Sequence, residues 1–535
     1  MNQATEELDL ISRLPDSILV VVFKDVTWTP SQYPFESDSV CECDNKALVW
    51  ISHVSRRWRQ IAISYSSLWA YASSRYRPGL TALFLDRSRR SHLHIDIDLR
   101  DANLRYQRVL DESIPLIMAQ SYRTVELQVR FFANSHLELD VISLLENAAA
   151  PVLKKLIIER WRGATLHLPQ SLFEDTVRCP PLQLLSLRNV IPDWKSVTRT
   201  ETLKHLTIHS VDLEIRQFIT FIGLCPNLES LRMLYMDGRL PESPSDDWRT
   251  QAQQWWPTHK HELPKLESLT YEGRRIQPLL LLFPLFAMPA LVSIDIRIFS
   301  MTWEEEIPQM QIMYSDPMFS WFLPNVVTVG HSIELELPYM IYDEESLRLG
   351  ISVKTRTHSF HYSYGSMGPQ PRRAFNFRAL NSEMLSSIMN SFLDIVKRFD
   401  GRNTTRMSMK CGATDQVICD MTAFLPTLFT IFPNIRHATF EGFRQSGGIQ
   451  QLLHSLWPEP HDPLRFDHIR SIELLKIPFI PTGPMMETLR GFLKSRIASG
   501  LPSLDLALVE CDNVDEDLAL TLLGPFSGSL TVKCL

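Results

Sequence analysis

The stretch Pro180-Pro-Leu182-Gln-Leu-Leu185-Ser-Leu187 decides the fold of this chain, because its pattern returns many times along the sequence. Apolar residues stand two, five and seven positions after the first proline. The last two are separated by a single residue, which is the spacing of side chains on one face of a β-strand. The proline favours a turn in front of that strand. The pattern therefore predicts a turn followed by a short strand with one buried face.

Copies of this template occur on both sides of the quoted stretch. They are Leu153, Leu156, Ile158; Leu203, Leu206, Ile208; Leu228, Leu231, Met233; Leu266, Leu269, Tyr271; Leu291, Ile294, Ile296; Ile435, Ala438, Phe440; and Leu504, Ala507, Val509. All but the second follow a proline, and such matches are more frequent than composition alone predicts. From Leu182 to Leu291 the copies are 21, 25, 38 and 25 residues apart. This spacing is typical of stacked units that bury each other's apolar faces.

Helical patterns lie between some of these strands. Phe218, Ile219 and Ile222 form an apolar stripe just before the copy that begins after Pro226. Strand, turn and helix therefore alternate, which predicts the α/β class. The unit resembles a leucine-rich repeat, although Val190, Val211 and Met236 replace the usual asparagine or cysteine three residues after the last leucine.

We therefore expect an irregular α/β solenoid similar to a leucine-rich-repeat array, whose turns satisfy their backbone groups without an asparagine ladder. The alternative is a conventional α/β domain whose strands share a motif by chance. The array is predicted over residues 151–354 and again over 379–535. Residues 355–378, rich in Ser, Tyr, Gly, Pro and Arg, are predicted to form a loop or hinge between them.

A polar segment around Trp255 and Trp256 interrupts the array. Because long excursions on a rigid scaffold often carry recognition, these two tryptophans are candidates for binding a target protein. Packing of both rings over the adjoining repeat is the alternative.

The N-terminal residues have a different, helical pattern. Ile18, Leu19, Val22, Phe23 and Val26 form an amphipathic stripe, and the preceding proline at position 15 suits the first turn of a helix. Two further short stripes follow: Leu48, Ile51, Val54 and Trp58, Ile61, Ala62. Helices this short are not stable alone, so the three are expected to share one small core. Arginines on both sides of Trp58 predict a basic rim beside it.

The order Leu14-Pro15, Ile18-Leu19, Phe23, Val54-Ser-Arg-Arg-Trp58, Ile61-Ala62 and Leu68-Trp69 closely resembles the F-box, the module that attaches substrate receptors to the Skp-type adaptor of cullin ubiquitin ligases. The resemblance covers residues 9–70. The sequence departs from the family at Ser17, where an acidic residue is common, and at Ser55, where cysteine is frequent. The connection from Thr27 to Asn45 is also longer than usual. Residues 71–150 are then expected to connect this module to the repeats.

The resemblance implies that this part of the chain packs against the adaptor by apolar contact. The residues that it assigns to adaptor binding are Leu14, Pro15, Ile18, Leu19, Phe23, Val54, Trp58, Ile61, Leu68 and Trp69. It also implies a noncatalytic substrate receptor that holds an unknown target protein and meets a cullin through the adaptor. The alternative is an F-box interaction scaffold that acts without ubiquitin transfer.

Composition and motifs limit the classes of function that the sequence supports. The net charge of −7 gives no general attraction to nucleic acid, and the basic cluster of Arg87, Arg89, Arg90, His92 and His94 is interpreted as a solvated face. The most apolar run, residues 279–292, contains two prolines and is too short to cross a bilayer.

No phosphate-binding loop, zinc motif or nucleophile elbow is present, so no catalytic residue, metal or cofactor is predicted. Scattered cysteines and an acidic N-terminus favour the cytoplasm or nucleus.

Overall fold

In a computed structural model, the structure describes residues 11, 13–27, 46–99, 104–131, 141–143, 150–161, 163, 165–168, 181–195, 197, 200–211, 215–236, 261–273, 286–299, 332–341, 346–354, 359–365, 404–410, 428, 430–441, 453, 468–477, 479, 484–514 and 516–533. The chain forms two compact units, Met1–Leu228 and Glu229–Leu535. Helices and mostly parallel strands make up the described residues of both units, which confirms the predicted α/β class.

Three helices open the first unit: α1 (Asp16–Thr27), α2 (Lys46–Val54) and α3 (Arg56–Ser64), followed by a 3₁₀ turn (Ser66–Trp69). The first helix begins one residue later than predicted. The Pro15 carbonyl accepts the amides of Ile18 and Leu19 at 3.0 and 3.2 Å, so Pro15 stands just outside the helix and supplies its first hydrogen bonds.

The rest of the first unit is built on one parallel sheet. The helices whose bounds the structure describes here are α4 (Pro78–Arg87), α5 (Leu104–Met118) and α6 (Ile215–Gly223), with 3₁₀ turns at Ser121–Arg123 and Thr200–Thr202. Its strands are β1 (Tyr71–Ser73), β2 (Leu93–Leu99), β3 (Thr124–Phe131), β4 (Lys155–Arg160), β5 (Leu166–His167), β6 (Leu184–Arg188), β7 (Val190–Ile191) and β8 (His205–His209). Parallel pairing joins β1, β2, β3, β4, β6 and β8 in that order, and β5 pairs with β7.

The sheet begins earlier than the sequence predicted. Strands β1, β2 and β3 lie within residues 71–150 and pair in series with β4, so this region belongs to the sheet and is not a mere connection. The proline-led template missed them because no proline stands at the required distance before β2 or β3. Their alternating apolar residues, such as Ile95 and Ile97, are nevertheless buried.

The second unit contains β9 (Ser230–Met236), β10 (His261–Glu262), β11 (Ser268–Gly273), β12 (Phe286–Ala287), β13 (Ser293–Phe299), β14 (Ser332–Ile341), β15 (Ser346–Lys354), β16 (Ser359–Gly365), β17 (Arg406–Lys410), β18 (His437–Glu441), β19 (Ser471–Leu475), β20 (Leu504–Val509) and β21 (Ser527–Lys533). The helices of this unit whose bounds the structure describes are α7 (Pro484–Ala498) and α8 (Glu516–Leu523), with a 3₁₀ turn at Gly524–Phe526. The main strand order is β9, β11, β13, β16, β15, β14, β17, β18, β19, β20, β21. A separate short pair joins β10 and β12.

Three strands interrupt the parallel series of this unit. β16 is parallel to β13, β15 is antiparallel to both β14 and β16, and β14 is parallel to β17. The interpretation of residues 355–378 as a loop or hinge is therefore wrong for Ser359–Gly365, which forms β16. The remaining residues of that segment lie outside the described ones. Phe360, Tyr362 and Tyr364 alternate along β16, a strand signal that the Ser- and Gly-rich surroundings obscured.

The template fixes which side chains face the core. In the first unit Leu156, Leu185 and Leu206 are direct cross-strand neighbours, and so are Ile158, Leu187 and Ile208. In the second unit Leu231, Leu269 and Ile294 align in the same way, as do Met233, Tyr271 and Ile296. All of these residues are buried. The sequence template was right for these copies because its two last positions occupy one face of each strand.

The last copy was assigned the wrong residues. In β20 the buried residues are Leu504, Leu506 and Leu508, whereas Ala507 and Val509 are only partly buried. The strand starts two residues after Pro502, while the other proline-led strands start four residues after theirs. Since β20 is apolar at nearly every position, the template matched it in the wrong register.

The turns after the strands share an unusual backbone conformation. Asn189, Ser210, Tyr235, Lys476 and Glu510 each lie two residues after the last core position of a strand, and each has φ between 51° and 55°. The amides of the first and the last two of these donate to carbonyls at the end of the neighbouring strand. At these three turns the backbone amide is therefore bonded to the neighbouring strand.

Candidate docking surface on the three N-terminal helices

A compact core joins the three N-terminal helices to the 3₁₀ turn that follows them and to α4. Its buried members are Leu19, Val20, Phe23, Leu48, Ile51, Ile61, Ala62, Leu68, Trp69 and Phe84, and the partly buried Leu14, Val49, Trp58, Leu80 and Leu83 pack against it. Trp69 anchors this core, because its indole Nε1 donates to the Ala62 carbonyl at 2.6 Å and its ring meets Phe84 edge-on at 4.8 Å. The predicted common core of the three helices is present.

The start of α3 is fastened to the start of α1. Ser55 caps α3 by accepting the Trp58 amide at 3.1 Å, and the Trp58 ring lies 5.0 Å from Phe23 of α1. Arg57 donates to the Leu14 carbonyl and holds Asp16 Oδ1 at 2.6 Å. The two helices therefore present their N-terminal ends together, which brings Val54 to the same end of the module as Ile18.

Large apolar side chains are exposed on the outer side of these helices. On α1 these are Ile18, Val21, Val22 and Val26, which we call the α1 stripe; three of them follow one another at intervals of four residues and so lie along one helix face. On α2, Trp50 and Val54 are each 62% exposed and are also four residues apart. Most of the exposed large apolar side chains in the described part of the chain fall between Ile11 and Tyr65. Such a concentration of exposed apolar side chains on one small module is typical of binding surfaces.

The residues predicted to bind the adaptor divide into two groups. Pro15, Ile18 and Val54 are exposed, and Leu14 and Trp58 are half-buried. The other five, Leu19, Phe23, Ile61, Leu68 and Trp69, are buried in the core of this chain. A partner cannot touch these five as they are placed, so we correct their role from contact to support. Trp255 and Trp256 lie outside the described residues.

Sequence reasoning placed part of the α1 stripe on the wrong side of the helix. Val22 and Val26 were placed in one apolar stripe with Leu19 and Phe23, yet the structure buries Leu19 and Phe23 together with Val20 and leaves Val22 and Val26 exposed. The run Ile-Leu-Val-Val-Val-Phe from residue 18 to 23 is apolar all round, so its periodicity does not define one face. That excess of apolar residues was itself a signal that a second apolar face of this helix would lie outside the core.

Charged side chains fill the other face of the strands next to this module. Asp98, Arg130, Glu159 and Arg188 are direct neighbours across β2, β3, β4 and β6 and alternate in sign. Arg130 lies 3.2 Å from Asp98 Oδ2 and 3.6 Å from Glu159 Oε2. Arg75, just after β1, also contacts Asp98. Because three of these groups are buried, removing one partner would leave uncompensated charge.

Asp96 completes this buried charge network. Its Oδ2 accepts the Tyr71 hydroxyl at 3.2 Å, whereas its Oδ1 has no hydrogen-bond donor among the described residues and lies 3.7 Å from Arg130 Nη2. Burial raises the pKa of the Asp96 carboxyl above its ordinary value, although Arg130 opposes this. Asp96 therefore ties β1, which directly follows the three-helix module, to the sheet through a carboxyl that resists ionisation.

Other chemistry in the described residues is sparse. No group of three or more His, Cys, Asp and Glu side chains in this part of the chain is arranged to hold a metal ion. Burial raises the pKa of the Cys225 thiol to about 12, which leaves it protonated at neutral pH. None of the helices described combines the length and apolar character that crossing a membrane requires.

Comparison with known proteins does not assign this chain to a family. A scan of the chain against protein-family models gives no match, and a search of curated proteins gives none either.

Proposed function

We propose that the three N-terminal helices are an F-box-type docking module and that the chain is the noncatalytic substrate receptor of a cullin-type ubiquitin ligase. The observation that carries this proposal is the exposed α1 stripe on helices whose opposite sides are packed into their own core. Apolar helix faces of this kind bind by filling a groove on a partner. The F-box resemblance of residues 9–70 names the Skp-type adaptor as that partner.

The contact surface in this proposal differs from the one that the resemblance alone implies. It consists of Pro15, the α1 stripe, Val54 and the exposed part of Trp58. Leu19, Phe23, Ile61, Leu68 and Trp69 stabilise the module beneath it. Truncating one of the five would act mainly by unfolding the helices, since a large-to-small change in a core costs about 2–5 kcal/mol.

The strands after the module fit a leucine-rich-repeat-like solenoid that holds the target protein. Their in-register parallel pairing and the recurrent turn conformation support this part of the proposal. No side chain need perform chemistry. The receptor would accelerate ubiquitin transfer by holding the target beside the ligase's ubiquitin-loaded partner, which replaces a bimolecular encounter with a tethered one. We place this function in the cytoplasm or nucleus, where buried thiols such as Cys225 and Cys511 remain reduced.

Capture of the adaptor by the full chain tests the docking surface. We expect Ile18→Glu together with Val22→Glu to lower the amount of co-purified Skp-type adaptor at least tenfold, because two buried anchors of the complex become charged. The matched control is Ile497→Glu with Leu520→Glu on the second unit. Its two residues are 44% and 45% exposed, close to the 47% and 43% of Ile18 and Val22. Circular dichroism checks that both variants are folded.

Equal adaptor yield from the first variant and from the unaltered chain would contradict the proposal. A loss of equal size in the control would also contradict it, because the effect would then be one of added charge and not of the α1 stripe. The alternative, a scaffold without ubiquitin transfer, predicts that the adaptor is captured but that no cullin accompanies it. Probing the captured complex for the cullin subunit separates the two functions.

A further inference from the structure

A cluster of cationic side chains lies on the loop that follows α4. Arg89, Arg90 and His92 are exposed there, and we call these three residues the basic loop surface. Residues 86–92 contain three arginines and one acidic residue, Asp86, whereas the whole chain carries a net charge of −7. The loop is thus locally positive on a chain that is negative overall.

A buried arginine holds this loop in one conformation. The guanidinium of Arg123 donates to the carbonyls of Leu85 and Ser91 and to the Ser88 hydroxyl, each at 3.0 Å. Its Nε donates to the Gln120 side chain at 3.0 Å. One guanidinium therefore fixes three points along the loop, and Arg89 is held at φ 50° between them.

The exposed arginines of the basic loop surface form no ion pair within the described part of the chain. Arg87 stacks on the Trp69 ring at 4.4 Å and so belongs to the core of the module. By contrast, the guanidiniums of Arg89 and Arg90 contact no carboxylate among the described residues. Two exposed guanidiniums on a fixed loop, with no carboxylate partner among the residues that the structure describes, are suited to a carboxylate from outside, which arginine can bind through two parallel hydrogen bonds.

Two exposed tyrosines adjoin the same loop. Tyr122, 57% exposed, precedes the buried Arg123, and Tyr65, 39% exposed, precedes Ser66, whose hydroxyl lies 2.7 Å from that of Ser91. Each tyrosine is therefore next to a residue that fastens the loop. Tyrosine and arginine are the side chains that most often carry the binding energy of protein interfaces.

We propose that the basic loop surface binds an acidic segment of a partner protein. The fixed loop lowers the conformational entropy lost on binding, and the arginines and tyrosines supply charge-assisted hydrogen bonds and apolar contact. A short acidic protein segment is favoured over nucleic acid, because an extended polyanion would meet the overall negative charge of the chain. The inference does not depend on the adaptor and goes beyond the proposed function.

Binding of a labelled peptide of eight glutamates tests this inference. Fluorescence anisotropy at about 50 mM salt, where surface charges are weakly screened, should show binding to the full chain and at least tenfold weaker binding to the variant Arg89→Glu/Arg90→Glu. The matched control Arg436→Glu/Arg470→Glu changes two exposed arginines of the second unit by the same charge and should bind the peptide within twofold of the unaltered chain.

Three outcomes would overturn the inference. The first is no binding of the peptide by the unaltered chain. The second is equal loss in both variants, which would mean that net charge alone governs the affinity. The third is tighter binding of a labelled single-stranded oligonucleotide of the same charge, which would assign the surface to nucleic acid. Adaptor capture by Arg89→Glu/Arg90→Glu, measured in parallel, should be unchanged.

Discussion

Strand β3 of the first unit and strand β18 of the second use a comparable position in different ways. Arg130 follows the buried Val129 in β3, and Glu441 follows the buried Phe440 in β18. The Arg130 side chain is 10% exposed and faces buried carboxylates, whereas Glu441 is 19% exposed and pairs with Lys476, a residue that is 56% exposed. The repeat pattern thus sets which face of the sheet a side chain lies on, but not whether that face is buried or exposed to solvent.

This difference separates two kinds of polar interaction. In the first unit Asp96, Asp98, Arg130 and Glu159 are buried and depend on one another, so the strands next to the three-helix module are held by charge pairing as well as by apolar contact. In the C-terminal strands the charged groups, such as Lys476, are more exposed to water, where screening reduces their contribution. We therefore expect the strands next to the three-helix module to be sensitive, and the C-terminal strands from β18 onward tolerant, to changes on this face.

The largest expected effect comes from removing the central arginine of the network. Arg130→Met removes the cation that Asp96, Asp98 and Glu159 share, and we expect a loss of about 3–5 kcal/mol in the free energy of unfolding. Lys476→Met, the control in the second unit, should cost at most about 1 kcal/mol, because its ion pairs are exposed. Urea denaturation measures both, and similar losses in the two variants would erase the contrast between the units.

The pH dependence of stability gives the next effect in size. Because the pKa of Asp96 is raised in the folded chain, its carboxyl should stabilise the first unit fully below the ordinary aspartate pKa of about 3.9. This contribution should be lost as the pH rises through the raised pKa. Asp96→Asn should therefore flatten the decline in the free energy of unfolding between the ordinary and the raised pKa of this carboxyl. Urea denaturation at several pH values measures this change.

A matched substitution in the second unit tests whether that decline belongs to Asp96. Asp505 is an exposed residue of β20, so Asp505→Asn should leave the pH profile as it is in the unaltered chain. If Asp96→Asn instead preserves the decline, another group of the first unit must bind the proton.

The smallest expected effect concerns the turn residue. Glu510 occupies the left-handed position that Asn189 fills in the first unit. Since asparagine tolerates this conformation better than glutamate, Glu510→Asn should stabilise the second unit by about 0.5–1 kcal/mol. Thermal unfolding followed by circular dichroism would detect the rise in melting temperature. A fall in melting temperature would mean that the loss of the ion pair between Glu510 and Lys476, at 3.9 Å, outweighs the gain from the more favourable backbone conformation.

Sequence reasoning predicted most of the core face of the repeated strands. The spacing in Leu185 and Leu187 or in Leu269 and Tyr271 identifies alternate residues on a strand, and the structure buries all four. It could not place the α1 stripe, because a helix that is apolar on every side has no preferred face in sequence. It also could not foresee the pairing of Asp98 with Arg130, which depends on register between strands about thirty residues apart.

The three-strand insert between β13 and β17 has a consequence for how this chain can vary in length. Its strands run with, against and again with their neighbours, so the chain reverses direction twice and returns to its original heading. A single reversal would instead leave the next strand facing backwards. Strands can therefore be added or lost at this place only if the number of reversals stays even. Removing all three strands would leave β13 and β17 pointing the same way and able to pair with each other.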